Sequence, residues 1–301
     1  MRAGLIRNPT AYRNRGARLP SAPEGLLAAE PGSHAELEAV LAGFADAGVE
    51  LLLIESGDGT IRDVLSRIPG AFGPRWPRLA IVPAGKTNAL ALDLGVRLGV
   101  TSEQVLRAAL GGARLKRRSP IEVFRGQAGQ AALRGYVFGA GAFVHATERA
   151  DRTHRLKLID DLAVGVILTS SALAALTGRS RSSWSRPVRI GVDGGPDEEA
   201  QRFLLLASTL KRFPLNLRPF GEAREGLKLL QVSAPPRRLV RAIGPILSGS
   251  WPAWLGEAGY SRSDCEEIRL HLPGGFVLDG EVYPGGEVTL RQGPALEFVV
   301  P

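Results

Sequence analysis

Leu51-Leu-Leu-Ile-Glu-Ser-Gly-Asp-Gly-Thr60 is the stretch on which the reading of this chain turns. Residues 51–54 are uniformly apolar, without the alternation of a half-exposed strand, so they predict a strand buried on both faces inside a parallel sheet. Two glycines flanking Asp58 follow at once, and then a segment with helical character from Ile61 to about Ile68, ended by Pro69-Gly70. Glycines let backbone N–H groups come close to a phosphate, and a helix N-terminus adds partial positive charge there. A carboxylate held between them can ligate magnesium or accept a hydroxyl proton. An ordinary tight turn after a strand uses the same residues, so this loop alone leaves both readings open.

The same pattern repeats on either side. Ala3–Ile6 is a short apolar strand running into Asn8-Pro9. Ser33 with Glu36 three residues on marks a helix start, and Leu37, Val40, Leu41 and Phe44 carry its apolar spacing until Gly48 stops it. Leu79–Val82 forms a further strand that leads to Pro83-Ala-Gly85-Lys86-Thr87-Asn88 and a helix bearing Leu90, Leu92 and Leu94. Strand–loop–helix alternation predicts an α/β domain with a mostly parallel sheet. In such a sheet the loops at the carboxyl ends of neighbouring strands share one crevice. There Thr87 and Asn88 can hydrogen-bond a nucleotide and Lys86 can neutralise a phosphate, although Thr87 or Asn88 as a plain helix N-cap accounts for them too.

From Ile121 the pattern changes to short Val-, Phe- and Leu-rich runs separated by Gly and Pro: 121–124, 136–139, 188–192, 203–208, 227–232, 268–272, 277–278 and 288–290. This predicts an antiparallel, β-sandwich-like second domain, interrupted by helices near 155–177 and 235–247. The expected division is 1–120 and 121–294, with a C-terminal strand near 295–301 returning to the first domain. Within the second, Leu278-Asp279-Gly280-Glu281 places two carboxylates around a glycine, suited to magnesium or general-base work. Asp-Gly between apolar runs is equally a hairpin signal.

Composition bounds the rest. The chain has 301 residues, a hydrophobic fraction of 44% and a charged fraction of 23%, which suits two globular domains. The single cysteine, Cys265, excludes an intramolecular disulfide, and the four scattered histidines make no zinc pattern. No secretory signal opens the sequence, and the apolar run between Asp161 and Arg179 is shorter than the roughly 20 residues that cross a bilayer; a soluble protein is expected. The formal charge is 38 − 30 = +8. Basic clusters at 114–118, 179–181 and 237–241 favour polyanionic partners or are solvated faces. No nucleic-acid-binding motif accompanies them, so no nucleic acid is expected as a partner. Trp251 and Trp254 suit either a membrane interface or the packing between domains. A P-loop, a third glycine after Gly139-Ala-Gly141, and a Gly-x-Ser-x-Gly elbow are all missing.

Taken in order and spacing, Arg7-Asn8-Pro9, Ser56–Leu65, Pro83–Leu94, Gly139–Phe143, Gly226–Leu229 and Leu278–Glu281 resemble the diacylglycerol kinase catalytic-domain family, which includes bacterial diacylglycerol kinases and sphingosine kinase-like lipid kinases. The resemblance covers nearly the whole chain. It implies an NAD kinase-like nucleotide-binding domain, then a lipid-substrate domain, with ATP and Mg²⁺ as cofactors. Asn8, Gly57, Gly59, Thr60, Gly85, Lys86, Thr87 and Asn88 would bind the nucleotide. Asp58, Asp279 and Glu281 would be catalytic, with Asp58 and Asp279 as metal ligands. The partner would be a lipid alcohol at the membrane surface, with anionic lipids around it, and the place of action the cytoplasmic face of the inner membrane. The sequence departs from the family's pattern at Ser56 and Lys86, after Asn8-Pro9, and at Glu225, where bacterial members often carry an aspartate linked to a structural magnesium. An NAD kinase-like enzyme is the nearest rival, and a binding module of the same fold without turnover is the alternative from another class.

Overall fold

The computed structural model describes residues 1–16, 26–126, 129–144, 147 and 187–301. The helix expected near 155–177 and the basic cluster at 179–181 lie outside the described residues. The chain divides into two compact units, Met1–Ser119 with Pro294–Pro301, and Pro120–Gly293.

The first unit is built on β1 (Ala3–Arg7), β2 (Leu26–Ala29), β3 (Leu51–Ser56), β4 (Arg78–Pro83), β5 (Arg114–Arg118) and β18 (Leu296–Val300). They form one sheet in the order β2-β1-β3-β4-β18-β5. Pairing is parallel throughout except at β18–β5. Leu51 to Ile54 are fully buried, as the unbroken apolar run requires. The helices are α1 (His34–Asp46), α2 (Asp58–Phe72), α3 (Ala89–Leu94) and α4 (Ser102–Leu110). Ser33 caps α1 by accepting from the Glu36 N–H, as its spacing predicts.

Three features depart from the sequence reading. Helix α2 begins three residues earlier than expected, at Asp58, and passes through Pro69 to Phe72. A proline in the last turn removes only the bond to the carbonyl four residues back, and the helix ends instead at Gly73, with φ +56°. Helix α4 went unread, although Thr101 and Gln104 form a reciprocal capping box at its start. The basic cluster 114–118 is an edge strand whose charges are largely paired. Arg118 meets the buried Asp93 at 2.5 Å, Arg117 meets Glu297 at 2.8 Å, and Lys116 donates to the Leu94 carbonyl.

The second unit contains β6 (Ile121–Arg125), β7 (Leu133–Gly135), β8 (Val137–Gly141), β9 (Val188–Val192), β10 (Glu198–Ala200), β11 (Arg202–Ser208), β12 (Leu227–Ser233), β13 (Tyr260–Cys265), β14 (Glu267–Leu272), β15 (Phe276–Leu278), β16 (Glu281–Tyr283) and β17 (Gly286–Gln292). Two helices, α5 (Leu239–Ser248) and α6 (Trp254–Glu257), lie between β12 and β13. The strands make two antiparallel sheets, β10-β9-β14-β17-β6-β7 and β13-β12-β11-β8-β15-β16. Ile190, Ile268, Leu270, Val288 and Leu290 of one sheet share a core with Phe138, Leu205, Leu229, Phe276 and Leu278 of the other. Each such side chain contributes about 1.5–3 kcal/mol by leaving water. Phe138 stacks on Phe276, and Phe276 on Tyr283, so aromatic contacts run to the end of the β15–β16 hairpin. Cys265 lies in this core, and burial pushes its thiol up to about 12, so it is no nucleophile.

Candidate nucleotide and phosphotransfer site

The loops after β1, β3 and β4 meet at the carboxyl edge of the first unit's sheet. Asn8 leaves β1 with its N–H on the Glu55 carbonyl (3.1 Å), and its Nδ2 donates to Thr60 Oγ1 (2.8 Å). Its Oδ1 accepts from the Thr10 N–H (2.9 Å), which fixes the turn at Pro9. Asn14 is buried and donates to the carbonyls of Asn8 and Glu55, while the Arg13 N–H reaches Ala84 O at 2.9 Å. Beneath them Arg7 is almost wholly buried between Glu30 and Glu55. Burial alone would lower its pKa, but the two carboxylates outweigh it and raise it. The sequence reading quotes Arg7 in the Arg7-Asn8-Pro9 motif without giving it a role, and does not single out Asn14. A charged residue closing a buried strand was the available signal for Arg7; nothing local marks Asn14.

Backbone contact joins the β3 and β4 loops. A methyl group built on Gly85 would lie 2.5 Å from the Gly57 Cα, closer than real Cβ contacts come, so this crossing accepts only glycine. We predict that Gly85→Ala lowers stability by about 1–3 kcal/mol, the range for overpacking a tight contact. Chemical denaturation of the variant measures it; an unchanged midpoint would mean the loops separate without cost. Asn88 closes the second loop on itself. It is buried, its Oδ1 accepts from Gly85 N (2.9 Å), and its Nδ2 donates to Gly85 O (2.8 Å).

Asn88 stands at the N-cap position of α3 with φ +50°, but its side chain does not cap the helix. Neither does Thr87. The cap is Asp58: the Ala89 N–H donates to Oδ2 (3.0 Å) and the Leu90 N–H to Oδ1 (3.3 Å). One carboxylate at the start of α2 therefore holds the first turn of α3. Burial pushes its pKa up, and the N–H groups of Ala89 and Leu90, with those of Asp58 itself and Asn88, pull it back. Helix α2 starts at Gly57 with no side-chain cap of its own, which leaves its N-terminus to an anion. Gly59 and Thr60 lie in that first turn. Lys86 is exposed and Thr87 partly exposed on the neighbouring loop.

Among the described residues, no three acidic, histidine or cysteine side chains gather into a cation cage. The β3 and β4 loops offer one carboxylate, Asp58, whose two oxygens accept from the Ala89 and Leu90 N–H groups. Magnesium held by one carboxylate and completed by nucleotide phosphates fits that donor set.

Asp279 and Glu281 belong to the second unit. Asp279 and Gly280 form the two-residue turn between β15 and β16, with φ of +46° and +84°. Positive φ at both positions marks a type I′ hairpin, the turn that Asp-Gly favours. The Asp279 carboxylate is turned onto the backbone where β7 passes into β8. It accepts from Tyr136 N at 3.0 Å and Val137 N at 2.9 Å, while its own N–H donates to Val137 O. Gly135, which the sequence reading did not single out, makes room for it: a Cβ there would stand 2.6 Å from Asp279 Oδ2. Glu281 is exposed at the start of β16. Glu225, the residue that departs from the family's secondary magnesium position, is paired with Lys211 at 2.5 Å.

Residues 2–122 match the family model of the diacylglycerol kinase catalytic domain. No curated protein matches the chain. Among solved structures, a diacylglycerol kinase from Bacillus anthracis str. Sterne aligns at 15% identity with TM-score 0.65, over 100% of this chain and 97% of that one. A proposed diacylglycerol kinase from the same organism aligns at 17% with TM-score 0.69, over 100% and 95%. At such identities the likeness is one of fold, and it extends over both units. Over residues 2–122 the chain is similar to the diacylglycerol kinase catalytic domain, and over its whole length it shares the fold of those solved structures.

Proposed function

We propose that this protein is an ATP-dependent lipid kinase that moves the γ-phosphoryl group of ATP to a lipid hydroxyl. The observation that carries the proposal is the double use of Asp58, whose carboxylate locks the Gly57–Thr60 and Gly85–Asn88 loops together around an uncapped helix start. Phosphoryl transfer asks mainly for positioning and charge neutralisation, and this arrangement supplies both. The first-turn N–H groups of α2 receive phosphate oxygens, Lys86 contributes a positive charge, and Asn8 holds Thr60 in place. Magnesium, bound through Asp58 and the phosphates, would neutralise negative charge. The acceptor oxygen forms its bond to the γ-phosphorus as the bond to ADP breaks, and the hydroxyl proton passes to a carboxylate, for which the family resemblance nominates Asp279 or Glu281. The protein acts at the cytoplasmic membrane surface, where lipid alcohols are found.

The test is transfer of labelled phosphate from ATP with Mg²⁺ to micelles of diacylglycerol, ceramide or sphingoid base, and to NAD in parallel. We expect a labelled lipid. Label on NAD alone would place the chain with the NAD kinases, and ATP binding without transfer to any acceptor would reduce it to a nucleotide-binding module.

A further inference from the structure

Between Glu225 and Glu257 the sequence has no acidic residue. This stretch carries α5 and the Trp251–Trp254 turn. Helix α5 buries Leu239, Ala242 and Ile246 and turns Val240 and Arg241 outward, next to the exposed Arg237 and Arg238. Val240 is 61% exposed, a large apolar side chain amid basic ones. Arg238 and Arg241 lie over the Trp254 ring at 5.9 and 5.0 Å, and Arg262 over Trp251 at 4.4 Å. Arg262 also donates to Gly249 O, and the Arg218 N–H donates to Leu247 O, so both join the C-terminal end of the helix. Leu215, 61% exposed, stands three residues before Arg218. Of the two acids that bound this stretch, Glu225 is paired with Lys211.

Around α5 these contacts gather guanidinium groups, half-buried indole rings and the exposed Val240 side chain. Nucleic acid would be met by positive charge but gains nothing from exposed Val240 and Leu215. An anionic bilayer uses all three. Phosphate headgroups pair with arginines, tryptophan sits at the polar–apolar boundary, and short aliphatic side chains reach the acyl edge. The apolar side of α5 is committed to the unit's interior, so contact is shallow and chiefly electrostatic.

We infer that the α5 face, with Trp251, Trp254, Arg218 and Arg262, docks the protein on an anionic lipid surface. The inference deepens the lipid-kinase reading by naming the surface through which the enzyme meets its substrate's membrane. The test is co-sedimentation of the full chain with phosphatidylcholine vesicles, with and without phosphatidylglycerol. Binding is expected to the anionic vesicles only and to weaken with salt. Arg237→Ala/Arg241→Ala should weaken it about thirtyfold, each arginine near such a surface being worth roughly a factor of five. Arg237→Lys/Arg241→Lys should bind like the unaltered chain, which separates lost charge from lost folding. Arg189→Ala, an exposed arginine on β9, should change binding less than twofold. Equal binding to neutral vesicles, an equal loss with Arg189→Ala, no loss with the double alanine variant, or tighter binding to duplex DNA than to anionic vesicles would each overturn the inference. Transfer of phosphate to a short-chain, water-soluble diacylglycerol keeps the two claims apart. If it persists while the α5 variants bind vesicles normally, the docking surface is wrong and the kinase stands; if docking behaves as stated but no lipid is phosphorylated, the kinase reading fails alone.

Discussion

Asp58→Asn should cut phosphoryl transfer by about a thousandfold, within the range seen when a positioned charged group of a catalytic site is lost. The substitution nearly preserves shape, so its effects separate two roles. As the cap of α3, Asp58 accepts from Ala89 and Leu90; an amide offers one oxygen to two donors and turns an NH₂ group toward the other. Losing one charge-assisted bond costs about 1.5–3 kcal/mol, less what is recovered because a neutral side chain suits the desolvated site better. A net loss of about 1–2 kcal/mol is expected in chemical denaturation. The pH dependence has a definite sign. Because the folded-state pKa is raised, Asp58 favours folding most when protonated, below the ordinary aspartate range, and that contribution is lost as pH rises through the raised folded value. Without divalent cations, the Asn variant should therefore gain on the unaltered chain as pH climbs out of the acid range. ATP affinity, measured by calorimetry with Mg²⁺, decides how the activity loss is read. Affinity within a fewfold of the original assigns the loss to the chemical step, and a parallel collapse assigns it to loop closure. Retention of more than a tenth of the activity would leave Asp58 as a helix cap only.

That dual role shows where sequence reading reaches and where it stops. Local signals were legible because their causes are local. Ser33 and Glu36 announce α1, the unbroken run Leu51–Ile54 announces a doubly covered strand, and Asp279-Gly280 announces a two-residue turn. The α/β unit and the antiparallel second unit follow from the same periodicities. The cap on α3 was not legible, since its donors and its acceptor lie 31 and 32 residues apart and only the sheet brings them together. Of the two caps expected there, Thr87 and Asn88, the second fails because Asn88 in the left-handed region turns its amide back onto Gly85. The cluster at 114–118 read as a basic face because its partners, Asp93 and Glu297, are 25 and 180 residues away. Helix α4 differs in kind, since the Thr101–Gln104 capping box that starts it is a purely local signal.

Asp279→Asn and Glu281→Gln should both lose transfer, but in distinguishable ways. The Asp279 carboxylate receives the backbone N–H groups of Tyr136 and Val137 and so ties the β15–β16 hairpin to the start of β8. Asn at this position keeps one acceptor for two donors, and it tolerates the positive φ of the turn well. A drop of about 1–3 kcal/mol in stability is expected alongside the loss of activity, the penalty for leaving a backbone donor unmet. Glu281 is exposed in a short edge strand, where substitutions ordinarily stay within about 0.5 kcal/mol. Its replacement should leave the denaturation midpoint unchanged while lowering kcat about 10²–10⁴-fold, the contribution of a positioned general base. Measuring both variants assigns the proton transfer. If Glu281→Gln is inactive and stable, Glu281 takes the hydroxyl proton and Asp279 positions the hairpin. If Glu281→Gln retains activity while Asp279→Asn does not, the proton goes to Asp279. If both variants keep full activity, the hairpin has no part in the chemistry, and the base must be sought among the carboxylates of the first unit, beginning with Asp58.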